Sequence, residues 1–236
     1  MCGIVACLGK SNISVEAVLP RLTHRGPDFS GMAQVGMATL GHTRLAIVDP
    51  VSGAQPLHGK HDNAIDNAIT VNGEIYNFQA LRSRYPAPYQ TNSDCEVLLE
   101  VCRQGIDFNE IDGVFAFVYI DAKDQFVIAR DPIGVNPLFY GWDNDSNCLW
   151  VASERKALLH CRDVVPFPPG HMWTQATEEP IPYYTPAWRT VPPALTENKD
   201  KLLKLIIDAT FKRMMSDVEF GVLLSVTLLL GCKFKI

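Results

Sequence analysis

Residues 1–9 read MCGIVACLG. From Cys2 to Leu8 the run is short, apolar and closed by Gly9, which is the pattern of a strand buried on both faces. What sets it apart is a cysteine directly behind the methionine. A residue this small in second place permits removal of Met1 by an aminopeptidase, leaving Cys2 with a thiol and the free α-amine together. An α-amine titrates at about 8 and a free thiol at about 8.5, so at neutral pH each is partly in its reactive form. The amine can then take the thiol proton, as in N-terminal threonine nucleophiles. With Met1 retained that nitrogen is an amide and no base. Taken alone, a cysteine in such a run is a small buried hydrophobe, so the rest of the chain has to decide.

The chain has 236 residues, enough for one large domain or one and a half with a substantial core. With 47% hydrophobic and 20% charged residues its composition is that of a soluble globular protein. A net charge of -5 offers no basic footprint for nucleic acid. Its seven cysteines are odd in number, scattered and without CxxC spacing, so they read as reduced thiols and not as a disulfide frame or a metal site. The N-terminal apolar run is too short for a secretory leader and no positive charge precedes it. Residues 222–230 are apolar but span less than half a membrane. A cytosolic protein without a membrane partner is expected.

Along the chain, residues 14–23 fit a helix ended by HRGPD. Residues 32–40 and 45–48 look like strands on either side of Gly41, and residues 68–72 like another. A helix over residues 78–85 stops at Pro86. In SDCEVLLEVCRQG, Ser93 and Glu96 have capping-box spacing, and Val97, Leu98, Val101 and Cys102 share one face up to Gly105. VFAFVYID and QFVIARD, separated by a short turn, form a hairpin, and NPLFYGW and CLWVASE continue that sheet. Prolines crowd residues 166–193, suggesting an extended connector. Residues 196–216 then form a helix with one apolar stripe, followed by a strand-like EFGVLLS. The expected division is a core over residues 2–162, a Pro-rich connector over 163–195 completing it, and the start of another domain over 196–236.

Three further segments bear on chemistry. In VNGEIYN the Asn72-Gly73 pair is the strongest short hairpin signal, and the segment by itself reads as a turn; read for chemistry, the Asn72 amide and the Gly73 backbone N–H suit an oxyanion hole, whose donors are worth roughly 3 kcal/mol each. Asp94 lies in a first helical turn, where a carboxylate favours the helix dipole whatever its role, or it pairs with a substrate ammonium. Arg44, in GHTRLAIVD, is an ordinary strand-end arginine or a fork for an α-carboxylate. Together Arg44 and Asp94 could read both ends of a free amino acid. RGPD, RDPIG and PPGH read only as turns.

In their order, MCGI, HRGPD, GHTRLAIVD, NGEIYN, SDCEVLLE, GVFAFVYID, RDPIGVNPLFY, ASERKALL and PPGH resemble glutamine-dependent asparagine synthetase, a class II glutamine amidotransferase, from Cys2 to about Ser225. The resemblance implies an α+β fold of N-terminal-nucleophile hydrolase type: an αββα sandwich of two facing, mostly antiparallel sheets. It makes Cys2 the nucleophile, its amine the base, and Asn72 with Gly73 the oxyanion hole. Arg44, Leu45, Ala46, Ile47, Val48, Asn72, Gly73, Glu74 and Asp94 match the family's glutamine-binding positions. No cofactor is implied for glutamine hydrolysis. In the complete family ligase the released ammonia reaches a domain where ATP, with Mg, has activated aspartate. That domain, an α/β ATP pyrophosphatase, is expected here only as its first helix and strand.

The match breaks after GVLLS. Where the family continues into a glycine-rich pyrophosphate loop, this chain reads VTLLLGCKFKI, with β-branched Val226 and Thr227 in place of glycine. Leu224 still sits at a nucleotide-contacting position, but tight ATP binding is not expected. Residues 226–236 read as a tail that diverges from the family, as retained intron, frameshift or alternative splicing would produce. The helix of residues 196–216 is accordingly expected to expose its stripe. Three functions follow: the glutaminase half of asparagine biosynthesis; a stand-alone glutaminase; or a non-catalytic form that associates with full-length subunits.

Overall fold

The computed structural model describes residues 1–61, 64–186 and 198–221. β1 (Gly3–Leu8) runs between β3 (Ala38–Arg44) and β9 (Leu149–Ala152), antiparallel to both. With β2 (Phe29–Val35), β8 (Phe139–Asp143) and β10 (Cys161–Pro166) these make a six-stranded sheet in the order β10-β8-β9-β1-β3-β2. The second sheet comprises β4 (Leu57–His61), β5 (Ala64–Ile75), β6 (Gly113–Asp121), β7 (Phe126–Arg130), β11 (His171–Thr174) and β12 (Ile181–Pro182), ordered β12-β11-β7-β6-β5-β4.

The central place of β1 explains its composition. Successive side chains point to opposite faces. Ile4 and Ala6 join Val118, Ile120, Ile128 and Val151 between the sheets, while Val5 and Cys7 pack outward with Trp150 beneath α1 (Val15–Val18) and the 3-10 helix Leu19–Arg25. On the far side, Val71, Ile75, Phe115 and Phe117 lie under α2 (Phe78–Arg84) and α3 (Val97–Gln104), meeting Leu81 and Leu98. Each large side chain buried in these layers contributes roughly 1.5–3 kcal/mol relative to exposure. The result is helix, sheet, sheet, helix, the expected αββα order.

Several local readings are corrected. The strands expected over residues 32–40 and 45–48 are displaced. β2 and β3 turn at Gly36, whose φ of 55° is left-handed. Gly41 lies inside β3, where a Cβ would come within 2.7 Å of Val15 Cγ1, and residues 45–48 form a loop. Asn72-Gly73 makes no turn, because β5 continues through both and pairs with β6 as far as Ile75. The helix of residues 14–23 stays α-helical only to Val18, since Pro20 supplies no N–H and the chain tightens to 3-10 form. The capping box does not close: Ser93 Oγ accepts from Cys95 N, and the Glu96 carboxylate instead takes Gln90 N, Thr91 N and Arg82. Gly105 does end α3, at φ 65°.

Sheet membership also differs. NPLFYGW and CLWVASE supply β8 and β9, which join β1 and not the hairpin β6–β7. As expected, the stretch after residue 162 completes the core, but its described part, through residue 182, is built of strands and not of extended connector. β10, β11 and β12 pair into both sheets, and Phe167 and Trp173 are core side chains.

Past the connector, α4 (Lys199–Lys212) is capped by Asn198 Oδ1, which accepts from Lys201 N. It is shorter than the helix expected over residues 196–216 and has no buried residue; Leu202, Leu205 and Phe211 are exposed. Residues 219–221 form no strand. Leu224, the end of GVLLS, the divergent tail and most of the last part of the expected connector lie outside the described residues.

Candidate active site

Cys2 sits at the entrance of β1, and Asn72, Gly73 and Glu74 sit near the end of β5 in the facing sheet. Both ends open on one cavity of about 420 Å³, lined among others by Cys2, Arg44, Asn72, Gly73, Glu74 and Asp94. That is within the range of small-molecule sites. The structure thus brings together residues drawn from four separate sequence motifs.

The thiol is held by one residue. Leu45 N donates to Cys2 Sγ at 3.4 Å, and Sγ lies 3.6 Å from Leu45 O. Burial pushes the Cys2 thiol up; the Leu45 N–H, the Met1 α-ammonium, Arg44 and Arg25 oppose that rise without cancelling it. A thiol in this position is protonated at neutral pH and needs a base to become a nucleophile.

Opposite it stands an unpartnered donor. Asn72 is 1% exposed, and its Nδ2 has no hydrogen-bond acceptor among the described residues. Buried amide donors are nearly always paired, so an open one at a pocket wall points to an acceptor arriving with a ligand. Gly73 adds a second donor through the strand's alternation. The Val71 and Ile75 N–H groups point away from β6 and are taken by Gln55 Oε1 (2.8 Å) and Asp94 Oδ2 (2.7 Å). Gly73, between them, faces the same side. Its partner across the ladder, Phe115, directs its own carbonyl and N–H towards Asp131. A side chain at position 73 has no room: a Cβ would lie 2.4 Å from Val114 O and 2.7 Å from Phe115 Cα, both backbone. Gly73→Ala is therefore expected to destabilise the fold by roughly 3 kcal/mol, read as a lowered urea midpoint with an unchanged slope.

Two carboxylates face the same cavity. Asp94 is 3% exposed, and burial pushes its carboxyl up even though Ile75 N–H and other donors pull it down. Glu74 is raised by burial and then by the charge of Asp94. A ligand ammonium placed between them would relieve both effects. Arg44, 6% exposed, is less free than its sequence suggests: Nη2 donates to Val48 O (3.1 Å) and Asp49 O (2.6 Å), and Nη1 to Pro50 O (3.3 Å). Its first role is to organise the loop over residues 45–50.

Some residues that shape the site are absent from the sequence-based set. Arg25 Nε donates to Cys2 O at 2.8 Å, and Arg25 Nη1 pairs with Glu154 at 3.0 Å. Asp28 Oδ2 accepts from Ala46 N at 2.8 Å. Both belong to RGPD, which on local grounds is only a turn; its charged ends were the available signal. Burial would raise Glu154, yet Arg25, His24 and Lys156 hold it at about 2, down from its ordinary 4.5. A depressed carboxylate stabilises fully above its unfolded value and loses that contribution as pH falls through its folded one. Glu154→Gln should therefore cost about 1 kcal/mol above pH 4.5, since the carboxylate is 24% exposed. The gap from wild type should close towards pH 2 in denaturant titrations.

Two facing antiparallel sheets, with Cys2 at the mouth of a central strand, make the fold of the N-terminal-nucleophile amidotransferases. The same fold occurs in glutamine phosphoribosylpyrophosphate amidotransferase from B. subtilis, with a TM-score of 0.64 and 21% identity over 78% of this chain and 50% of that one. Residues 1–177 match the family model described as glutamine amidotransferase domain, and the chain belongs to that family. Among curated relatives it is 43% identical to an asparagine synthetase [glutamine-hydrolyzing] of Asparagus officinalis, over 95% of this chain and 40% of the relative. The corresponding protein of Sandersonia aurantiaca is also 43% identical, over 95% of this chain and 44% of its own length. The chain thus spans about two fifths of the length of these relatives. No helix among the described residues is long and apolar enough to cross a membrane.

Proposed function

We propose that this chain hydrolyses the side-chain amide of L-glutamine, as the glutaminase half of asparagine biosynthesis. The observation that carries the reading is the buried, unpartnered Asn72 amide opposite the Cys2 thiol in one cavity. After Met1 is removed, the Cys2 amine takes the thiol proton and the thiolate adds to the amide carbon. Asn72 Nδ2 and Gly73 N–H receive the oxyanion. The protonated amine returns its proton to the leaving nitrogen, ammonia departs, and a thioester remains. Water, activated by the same amine, releases glutamate and restores the thiol. Asp94 and Glu74 hold the substrate ammonium, and Arg44, through the loop over residues 45–48, orients the carboxylate end.

This chemistry uses no metal or cofactor. Use of the ammonia to amidate aspartate with ATP is what the resemblance implies for the complete family ligase, and cytosolic location and association with a full-length subunit are proposed on the same resemblance. The decisive experiment pairs N-terminal mass with glutamate release. Loss of Met1 together with glutamate and ammonia in equal amounts is expected; a fully processed chain that releases neither would end the reading.

A further inference from the structure

Residues 212–217 lie beyond the matched residues 1–177, yet they touch both walls of the cavity. On one wall Lys212 pairs with Asp112, whose carbonyl accepts the Tyr76 N–H at 2.7 Å. The Arg213 guanidinium lies 5.2 Å from the Tyr76 ring centroid and lines the cavity. On the other wall Asp217 N donates to Ile47 O at 3.0 Å, and Asp217 Oδ2 accepts from Asp49 N at 2.8 Å. Ser216 closes the intervening turn through two bonds with Val218, Oγ to its carbonyl and from its N–H.

The loop held in this way is the one that fixes the thiol. Leu45 contacts Cys2 Sγ. Asp28 tethers residue 46, and Arg44 tethers residues 48–50 from within. Only Asp217 holds Ile47 O and Asp49 N among the described residues. Asp49 also has a φ of 48°, a left-handed conformation that costs a non-glycine residue energy unless its neighbours enforce it; its carboxylate accepts from Ser52 N, Ser52 Oγ and Asn92 N, while its N–H is held by Asp217. The loop's shape therefore depends on a segment supplied from beyond the amidotransferase match.

We infer that residues 212–217 form a clamp across the glutamine pocket, with Asp217 as a positioning residue for the recognition loop and Arg213 bracing the opposite wall. The inference rests on the glutamine reading of the site, and it joins that site physically to the segment after α4. Substrate affinity in the amidase half is then sensitive to how that segment is seated.

The test compares wild type with Asp217→Ala, Asp217→Asn and Arg213→Ala, measuring glutamine KM and kcat together with amide exchange of Asp49. Asp217→Ala should raise KM about tenfold with a much smaller change in kcat, and should speed exchange at Asp49 by about the same factor. Asp217→Asn keeps an oxygen acceptor and should restore both to near wild type. Arg213→Ala should raise KM in the same direction. Wild-type KM and wild-type Asp49 exchange in Asp217→Ala overturn the clamp. No glutamate release from processed wild type overturns the glutamine reading instead, and exchange at Asp49 then decides the clamp alone.

Discussion

Cys2→Ala should abolish glutamate release, by at least about a thousandfold in kcat, while leaving the fold intact. Among the described residues the thiol hydrogen-bonds with Leu45 alone, at the open end of a strand whose core residues are Ile4, Val5 and Ala6. Its loss therefore removes a nucleophile without opening a cavity in the core. Thermal unfolding should match wild type within a degree or two as activity vanishes. Hydrolysis at wild-type rate in the alanine variant would leave the proposed mechanism without a reacting atom. Because burial raises this thiol, its alkylation by iodoacetamide should accelerate with pH through and beyond the ordinary thiol range.

Asn72→Ala separates catalysis from stability in the opposite sense to Gly73→Ala. Removing one oxyanion donor typically lowers kcat by about a hundred- to a thousandfold. Yet Asn72 Nδ2 is buried with no partner among the described residues, and an unsatisfied buried donor costs about 1–3 kcal/mol. Deleting it should leave the melting temperature unchanged or raised. A drop in kcat of this size with a melting temperature at or above wild type is the expected pair of results; a large loss of stability with little loss of kcat would assign Asn72 to the scaffold. Glutamine KM should move far less than kcat, since the donor acts on charge that develops only in the transition state.

How much of this was legible beforehand varies by element. β1, α2, the hairpin β6–β7 and the helix stop at Gly105 follow from local pattern, and the structure holds them within a residue or two of where pattern places them. Local preference alone makes Asn72-Gly73 a turn, but nine residues of β5, Asn67 to Ile75, pair with β6 and override it. The proline-rich stretch misled similarly. Pro166 ends β10 at the sheet edge and Pro182 ends the two-residue β12, positions where a missing N–H does little harm. The Ser93 and Glu96 spacing fits a capping box, but Arg82 and the residue 90–91 backbone claimed the glutamate first.

The site divides along the same line. Cys2, Asn72, Gly73, Glu74, Asp94 and Arg44 could be named from short strings, because their side-chain chemistry is carried in the letters and their order resembles a known family. Arg25, Asp28, Asp49 and Asp217 could not, because each acts on a backbone group far along the chain, across separations of 23, 18, 43 and 168 residues.

Residue order alone settled the alternation that buries β1 and supplied the reactive groups proposed above, since both readings depend on side-chain type and spacing along one segment. Which sheet received β8 and β9, which donors stayed open at the pocket, and what holds the loop beside the thiol were settled by packing in three dimensions. Those outcomes depend on competition among distant backbone groups for a limited set of partners, and no local stretch contains both sides of that competition.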